Sequence, residues 1–361
     1  MKIDLNRALY ISERVFRIAF LPFLMMLAGC VISPRVTGNG NNNPPPTTSG
    51  GELYVATPNS ILRFSQALSA NGNVQPAATI TGSSTQLLRP GFLHVDTTND
   101  RLFVANNGND SILVFNNAST LASGNIAPSA VLAGSATGLS SPVDVAIDSG
   151  NDLLYVADGT TIRVFSGQST FSGNVNVAPV RTFLPGGAIS GILLDTSDDT
   201  LYVADANDNQ VIVIGQASLQ VFAAVPTALI QGSSTQLFGP NGLALDGTGR
   251  LVVSNAGTNI NSTPSVTIYS SPTVANGNIL PDTIIAGGNT GFAVPSQLAL
   301  APSSANGELF IADVTAQKIS IYNNTNNLRG NISAAPDASI AGANTGLSGV
   351  NISGMALDPT R

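Results

Sequence analysis

The chain of 361 residues has little of the chemistry that most metalloenzymes and nucleic-acid-binding proteins use. It contains one cysteine, one histidine, no tryptophan and two lysines, Lys2 and Lys318. A single cysteine excludes a disulfide framework and a thiolate zinc site, and a single histidine excludes a histidine-cluster metal site. With a net charge of −7 the chain lacks the basic surface that binds a phosphate backbone, so we expect no nucleic-acid partner. The absence of tryptophan disfavours a stacking platform for sugars or bases.

The remaining composition is that of a folded, weakly charged protein. Hydrophobic residues make up 43% of the chain and charged residues only 10%. The hydrophobic share is ample for a core, which excludes global disorder. The length allows one large domain or two to three ordinary ones.

Residues 1–29 have the pattern of an export signal. A basic segment at 1–17 precedes a mostly apolar run at 18–29 that ends in small residues. This run is too short to cross a bilayer, which takes about 20 residues, so the segment is interpreted as a cleaved signal peptide. Residues 30–51 follow without apolar periodicity and are rich in Asn, Pro, Thr and Gly, which predicts a flexible tether.

The tether begins at Cys30, and the preceding Leu-Ala-Gly makes a sequence that resembles the bacterial lipobox. The resemblance implies that Cys30 is acylated, becomes the mature N-terminus and anchors the protein in a membrane. Val31 follows rather than Asp, which by resemblance to Gram-negative sorting rules favours the outer membrane. We therefore expect a lipid-anchored protein of the bacterial cell envelope. The alternative is an ordinary secretory signal with an incidental cysteine.

One unit recurs six times between residues 52 and 361. Its marker is a strand of the Leu-Tyr-Val-Ala type, usually followed by a polar turn and a second apolar strand. Two further short strands flank this pair in most copies, which gives units of four strands and roughly fifty residues, in the range of propeller blades. The six markers are residues 53–56, 102–105, 154–157, 201–204, 251–254 and 309–312.

The two ends of the repeat region are complementary. The region begins with the second strand of a unit, at residues 51–57, and ends with the first strand of a unit, at residues 353–361. Pairing of the C-terminal strand with the N-terminal three completes a blade and leaves no open edge in the ring. The sequence therefore predicts an all-β fold, a six-bladed β-propeller over residues 52–361, closed by the C-terminal strand.

The unit P-x-G-L-A-L-D…L-Y-V-A-D…N…I-x-V-F resembles the NHL repeat and, more loosely, the YVTN-type repeat of bacterial propellers. The resemblance covers residues 52–361 and implies the fold, but such propellers include binding modules, lyases and lactonases. Two copies depart from the pattern. The fourth repeat lacks the Gly-Asn…Pro linker, and residues 184–191 lack the Thr-Gly-Leu or Thr-Gln-Leu loop, which predicts a notch in the channel mouth beside the fourth blade.

Carboxylates and amides recur at the turn after the second strand and near the start of the innermost strand. In a propeller these positions lie near one mouth of the central channel, where oxygen ligands could encircle Ca²⁺. The alternative is that they bind backbone groups of their own turns. No catalytic set and no resident cofactor is predicted, with calcium as the metal alternative. The candidate mouth residues are Asn106, Asp144, Asp158, Asp205, Asn241, Asn255, Gln297 and Asp313. The Asp that ends the inner strand is interpreted as an Asx-turn residue: Asp96, Asp148, Asp195, Asp246 and Asp358.

His94 occupies an inner-strand position where other copies have alanine, such as Ala146 and Ala244. Beside the channel, an imidazole whose pKa lies near the working pH could act as a general base. The alternative is that it fills a gap between blades. The lyase-type propellers that the fold resembles use a His with acidic metal partners, and the lactonase type a Glu with Asn and Asp on a metal. Neither set can be assigned here residue by residue.

The leading hypothesis for function is a non-catalytic binding or scaffolding module for an envelope protein or glycan, held at the membrane through Cys30. A weakly charged surface rich in Asn, Ser and Thr suits such contacts, and a binding module should show an apolar patch on one face. One alternative is a metal-dependent lactonase- or lyase-like enzyme with its site at the channel mouth. Another is a structural component of a surface assembly.

Overall fold

Each of the six repeats folds into an antiparallel sheet of four strands, here called a blade. The structure, a computed structural model, describes residues 50–257, 263–301 and 307–361. The predicted signal peptide, Cys30 and most of the tether lie outside these ranges. Apart from the C-terminal strand, each strand of a blade lies beside its neighbour in sequence, from the innermost strand to the outermost, and a longer linker joins the third strand to the fourth.

The strands of the blades are given in order from the channel outward. Blade 1 contains Gly354–Asp358, Glu52–Thr57, Ser60–Ser65 and Ala78–Thr81; blade 2 contains Pro90–Asp96, Arg101–Asn106, Ser111–Asn116 and Ala130–Leu132; blade 3 contains Pro142–Asp148, Leu153–Asp158, Thr161–Ser166 and Arg181–Leu184. Blade 4 contains Gly191–Asp195, Thr200–Asp205, Gln210–Ile214 and Ala228–Gln231; blade 5 contains Pro240–Leu245, Leu251–Asn255, Ser265–Tyr269 and Thr283–Ala286; blade 6 contains Pro295–Ala301, Glu308–Asp313, Lys318–Tyr322 and Ala338–Ile340.

The ring closes through the C-terminal strand. Gly354–Asp358 pairs antiparallel with Glu52–Thr57, with Asp358 opposite Glu52. The Gly51 N–H donates to the Arg361 carbonyl oxygen at 2.7 Å and extends this contact. The inner strands of neighbouring blades contact one another all the way round. The prediction of an all-β, six-bladed propeller closed by its C-terminal strand is therefore confirmed.

The hydrophobic core lies between the blades rather than at the centre of the ring. Among the described residues it consists of six clusters, and each joins the facing surfaces of two adjacent blades. Phe103 of blade 2 and Phe165 of blade 3, for example, belong to one cluster and are fully buried. The aromatic residues of the strands thus stabilise the packing of one blade on the next, at about 25 cal/mol per Å² of apolar surface removed from water.

A second set of contacts fastens the blades along the outer circumference. In each blade the linker between the third and fourth strands reaches back and pairs, in parallel, with the outermost strand of the preceding blade. The last of these pairs, between Gly72 and Ile340, joins blade 1 to blade 6. The linker therefore covers an edge that would otherwise be open. Three linker strands are Gly173–Val175, Phe222–Ala223 and Gly330–Ile332, and single bridges join Gly72 to Ile340, Gly124 to Ile80 and Gly277 to Ile230.

An asparagine in the linker completes this contact, and we call it the latch. Asn125 of blade 2 accepts a hydrogen bond from the backbone N–H of Ser84 at 2.7 Å, at the start of a 3-10 turn that follows blade 1. A Cβ at Gly82, beside this turn, would overlap the asparagine side chain, so only glycine fits there. Three other junctions have the same latch: Asn176 with Ala136, Asn278 with Ser234 and Asn73 with Asn344, at 2.6–2.9 Å.

The junction between blades 3 and 4 lacks both halves of the latch. Its linker has Phe222 where the linkers of blades 1, 2 and 5 have Gly72, Gly124 and Gly277, and Ala223 follows where the latch asparagine stands. The 3-10 turn that the asparagine would cap is missing too, because residues 185–190 form no such turn. Both departures seen in the sequence therefore meet at one place in the ring.

The helices of the described residues are single 3-10 turns. None of them has the length and hydropathy that a membrane-spanning helix requires. In the Thr-Gln-Leu loop after blade 1, the Thr85 hydroxyl donates to the Gly82 carbonyl oxygen at 2.7 Å and Leu87 is buried, so this loop has a structural role. The turns are Ala67–Ser69, Ser83–Thr85, Asn107–Asn109, Ala118–Thr120, Gln168–Thr170, Ala217–Leu219, Ser233–Thr235, Gly288–Thr290, Thr325–Asn327 and Ala343–Thr345.

We expect Asn125→Ala to lower the free energy of unfolding by about 1 kcal/mol, because the Ser84 N–H loses a cap of the kind that stabilises helix termini. Urea unfolding measures this change. Asn174→Ala is the matched control, because Asn174 is exposed on a linker strand and its side chain makes no hydrogen bond within the described ranges. Equal losses in the two variants would show that the latch does not stabilise the ring.

Candidate functional site

Two of the aspartates at the turn after the second strand bind the loop that precedes an inner strand, and the third binds its own turn. Asp313 accepts hydrogen bonds from three backbone N–H groups at 2.7–3.0 Å. Asp158 accepts hydrogen bonds from two backbone N–H groups at 2.6 and 3.0 Å and forms an ion pair with Arg163 at 2.8 Å. Asp205 accepts two N–H groups of its own turn at 3.1 and 3.3 Å and the Gln210 amide at 3.0 Å. All three carboxylates are buried and engaged inside the protein.

The two asparagines at this position also form hydrogen bonds inside the protein. Asn106 accepts the Leu88 N–H at 2.8 Å and donates to the Gln86 carbonyl and the Ser111 hydroxyl, both at 3.0 Å. Asn255 accepts the Phe238 N–H at 3.2 Å and donates to the Thr267 hydroxyl at 3.1 Å. The Asx-turn interpretation of the inner-strand aspartates is confirmed as well, because each accepts hydrogen bonds from its own turn: Asp96, Asp148, Asp195, Asp246 and Asp358.

Two candidate residues, Asp144 and Gln297, tie inner strands together inside the channel. Asp144 of blade 3 accepts the N–H of Val145 at 2.7 Å and the N–H of Ile192, in blade 4, at 2.8 Å. Gln297 of blade 6 donates to a carbonyl oxygen of blade 2 at 3.2 Å and accepts the N–H of Met355 in blade 1. Where this position is glycine, the backbones of neighbouring inner strands lie close together. At Gly354, for example, a Cβ would overlap a carbonyl oxygen of blade 2.

The channel encloses a cavity of about 250 Å³ that all six inner strands line. Asp144, Gln297 and His94 face this cavity, and the rest of its wall is apolar. The structure therefore brings three of the predicted residues to one space. Within the part of the chain that the structure describes, the imidazole of His94 makes no hydrogen bond, which leaves one donor and one acceptor directed at whatever fills the cavity.

Burial sets the charge of both titratable groups in the channel. It lowers the pKa of His94 to about 4, and the nearby Asp96 offsets only part of this shift, so the imidazole is neutral at pH 7. Burial raises the pKa of Asp144 to about 8, although the two backbone hydrogen bonds act in the opposite direction. A neutral His and a largely protonated Asp can exchange hydrogen bonds with a neutral molecule.

Asn241 lies at the channel mouth, apart from the cavity. It borders a depression of about 280 Å³ together with Ser190, which follows the short loop before blade 4. Among residues 50–257, 263–301 and 307–361, no three His, Cys, Asp or Glu side chains come together as a metal site requires. The calcium site stays a prediction that direct metal analysis would test.

A larger apolar opening lies elsewhere, at the outer edge between blades 3 and 4, and we call it the rim groove. Its volume is about 700 Å³. Of the ten large hydrophobic side chains that are exposed among the described residues, seven fall between Val177 and Val225. Four of the seven line the groove: Val180, Leu184, Val221 and Phe222. The groove coincides with the junction that lacks the latch.

Phe222 is the most exposed of these side chains, at 83%. Its φ of 59° places it in the left-handed region, which a bulky aromatic residue adopts at a cost of about 1–3 kcal/mol. An exposed ring gains almost nothing from the hydrophobic effect, so neither packing nor backbone preference explains this residue. Sequence reasoning missed Phe222, although the missing Gly-Asn linker marked its position.

Comparisons with known proteins bear on the fold alone. No protein-family model and no curated protein sequence matches the chain. The chain is similar to one in the crystal structure of a nidogen/laminin complex, with a TM-score of 0.54 and 13% identity over 85% of this chain and 98% of that chain. A chain of hydrazine synthase from Kuenenia stuttgartiensis aligns with a TM-score of 0.45 and 15% identity over 70% of this chain and 80% of that one.

We expect the free energy of unfolding of the wild type, relative to that of Asp144→Asn, to fall as pH rises. The carboxyl pKa is about 8 in the folded chain and ~3.9 in an unfolded one. Between these values the folded chain holds a proton that the unfolded chain has lost, so the wild type loses up to ~1.4 kcal/mol of unfolding free energy per pH unit, and the loss ends above the folded pKa.

Urea unfolding of both chains from pH 5 to pH 9 measures this trend. Taking the difference removes groups that titrate alike in the two chains, including His94, whose pKa of about 4 in the folded chain lies below this pH range while that of an unfolded histidine, ~6.5, lies within it. A difference that does not change with pH would mean that Asp144 is already ionised at pH 5.

Proposed function

We propose that the chain is a bacterial lipoprotein, anchored in the outer membrane through Cys30, whose NHL- or YVTN-type propeller is a non-catalytic binding module for an envelope protein. One observation carries the binding proposal: the exposed apolar side chains are concentrated at the rim groove. Contiguous exposed apolar surface marks sites of protein contact. The similar nidogen/laminin structure is that of a protein complex, which is consistent with this use of the fold.

A protein partner is favoured over a glycan by the chemistry of the groove. Its walls carry the aliphatic side chains Val180, Leu184 and Val221 beside the Phe222 ring. Interface hot spots are centred on aromatic residues that the partner buries completely. Phe222 has the properties of such an anchor, because it is exposed in the free protein and rests on a strained backbone that packing does not explain.

The membrane anchor predicts a simple labelling result. We expect the full chain, produced in a Gram-negative bacterium with an alkyne-tagged fatty acid, to carry the label and to sediment with membranes. Cys30→Ala should carry no label and leave the membrane fraction, because Cys30 is the only thiol in the chain. Equal labelling of the two chains, or no labelling of either, would contradict the lipoprotein assignment.

A photocrosslink tests the binding surface. We expect benzoylphenylalanine in place of Phe222 in the anchored full chain to form an adduct with another envelope protein under ultraviolet light. The same group in place of Leu280 is the control and should form none, because Leu280 is similarly exposed, at 74%, but belongs to a junction that has its latch.

Three outcomes would count against the proposal. The first is no adduct at position 222, and the second is the same adduct at both positions. The third is an adduct with a lipid or with a second copy of the chain, which the mass of the product identifies.

A further inference from the structure

The rim groove carries a positive charge that the protein itself does not neutralise. Arg163 and Arg181 both border it. Arg163 forms an ion pair with Asp158. Arg181 has no carboxylate within 4.0 Å in the described part of the chain, and its buried Nε has no hydrogen-bond partner there. A buried donor without a partner costs about 1–3 kcal/mol. The guanidinium as a whole borders the groove, where its positive charge can be neutralised by a ligand.

Other arginines of the blades show what Arg181 lacks. Arg63, Arg101 and Arg250 each project from a blade and donate to backbone carbonyl oxygens of the next linker. Arg63 and Arg250 also bind a carboxylate of their own blade. Arg181 lies on the outermost strand of blade 3, beside the linker strand Phe222–Ala223 of blade 4. Its guanidinium approaches the hydroxyl of buried Tyr155 and also borders the groove.

A carboxylate is the group that this arrangement selects. The guanidinium binds a carboxylate through two parallel N–H bonds, and such charge-assisted bonds are about twice as strong as neutral ones. The chain as a whole carries a charge of −7, so an unneutralised arginine within an apolar groove is a local exception. Apolar walls around it exclude water and strengthen the pair.

Two other occupants fit these observations less well. A second copy of the chain packed about a two-fold axis would bring the groove arginines of both copies close together, and like charges at an interface cost several kcal/mol. A bilayer offers a flat surface, whereas the groove is a hollow of about 700 Å³ that suits inserted side chains.

We infer that the rim groove binds a peptide segment of the partner protein in which apolar side chains adjoin a carboxylate, either of Asp or Glu or of a free C-terminus. The apolar side chains pack on Phe222 and Val221, and the carboxylate pairs with Arg181. This inference rests on the proposed function, because it specifies the chemistry of the partner at the same surface.

A peptide selection tests it. The full chain in detergent micelles is used to select phage that display random peptides, and synthetic copies of the enriched peptides are then titrated by fluorescence anisotropy. We expect enriched peptides to combine apolar residues with an acidic group. Arg181→Met should weaken their binding about ten- to a hundred-fold, since a hydrogen bond to a charged group contributes about 1.5–3 kcal/mol.

Matched variants separate the possible failures. Arg181→Lys should restore part of the affinity, and Arg329→Met should leave it unchanged, because Arg329 also lacks a carboxylate partner among the described residues but lies outside the groove. Phe222→Asn, whose side chain tolerates the left-handed backbone, should abolish binding while Leu280→Asn does not. Thermal melting of each variant shows that it is folded.

The outcomes are distinguishable. If Phe222→Asn abolishes binding but Arg181→Met does not, or if the enriched peptides carry no acidic group, carboxylate recognition is wrong and the proposed function stands. If sedimentation shows self-association that Phe222→Asn removes, the occupant is a second copy and the inference fails. If the peptides bind Phe222→Asn as well as the wild type, both the inference and the binding surface are wrong.

Discussion

The fold depends on covering the edges of its sheets. A blade of four short strands has two edges with free N–H and C=O groups, and each edge could pair with another chain. The inner edges face one another around the channel, and the parallel linker pairs cover the outer ones. The C-terminal strand is the inner strand of blade 1, and the bridge between Gly72 and Ile340 joins the same two ends at the circumference. The ring is therefore closed at two places, beside the channel and at the outer circumference.

Because the edges must stay covered, residue changes in the channel and at the rim have different consequences. In the channel, Asp144 and Gln297 each bind the backbone of a neighbouring blade, so a change at either one alters contacts between blades. At the rim, a linker can lose its latch while the parallel pair remains, as between Phe183 and Phe222. A rim junction can therefore acquire new surface chemistry without opening the ring, and the junction between blades 3 and 4 has done so.

The sequence predicts the fold because its evidence is repeated. Six copies of one strand type and two complementary ends leave little choice of architecture, and the structure confirms it. The role of a single residue is harder to predict from the sequence. His94 in an alanine position was informative, since the side chain does face the channel cavity. The turn residue Asp205 was ambiguous, because a carboxylate that binds calcium and one that caps its own turn have the same sequence pattern. Phe222 could not be identified, because an exposed apolar side chain in a short strand looks like a buried one until the neighbouring blade is known.

The coincidence of three unfavourable features at one junction needs one cause. Phe222 lies in a strained backbone conformation, its ring is exposed to water, and Arg181 beside it has a buried donor without a partner. Each feature lowers the stability of the free protein, and simple substitutions in the same linker would relieve the first two, as glycine does at positions 72, 124 and 277. Of the ten large hydrophobic side chains that are exposed among the described residues, seven fall between Val177 and Val225. The concentration of such features on one groove, with apolar walls around an unneutralised cation, is expected if that groove is completed by a partner, which buries the ring and binds the guanidinium at the same time.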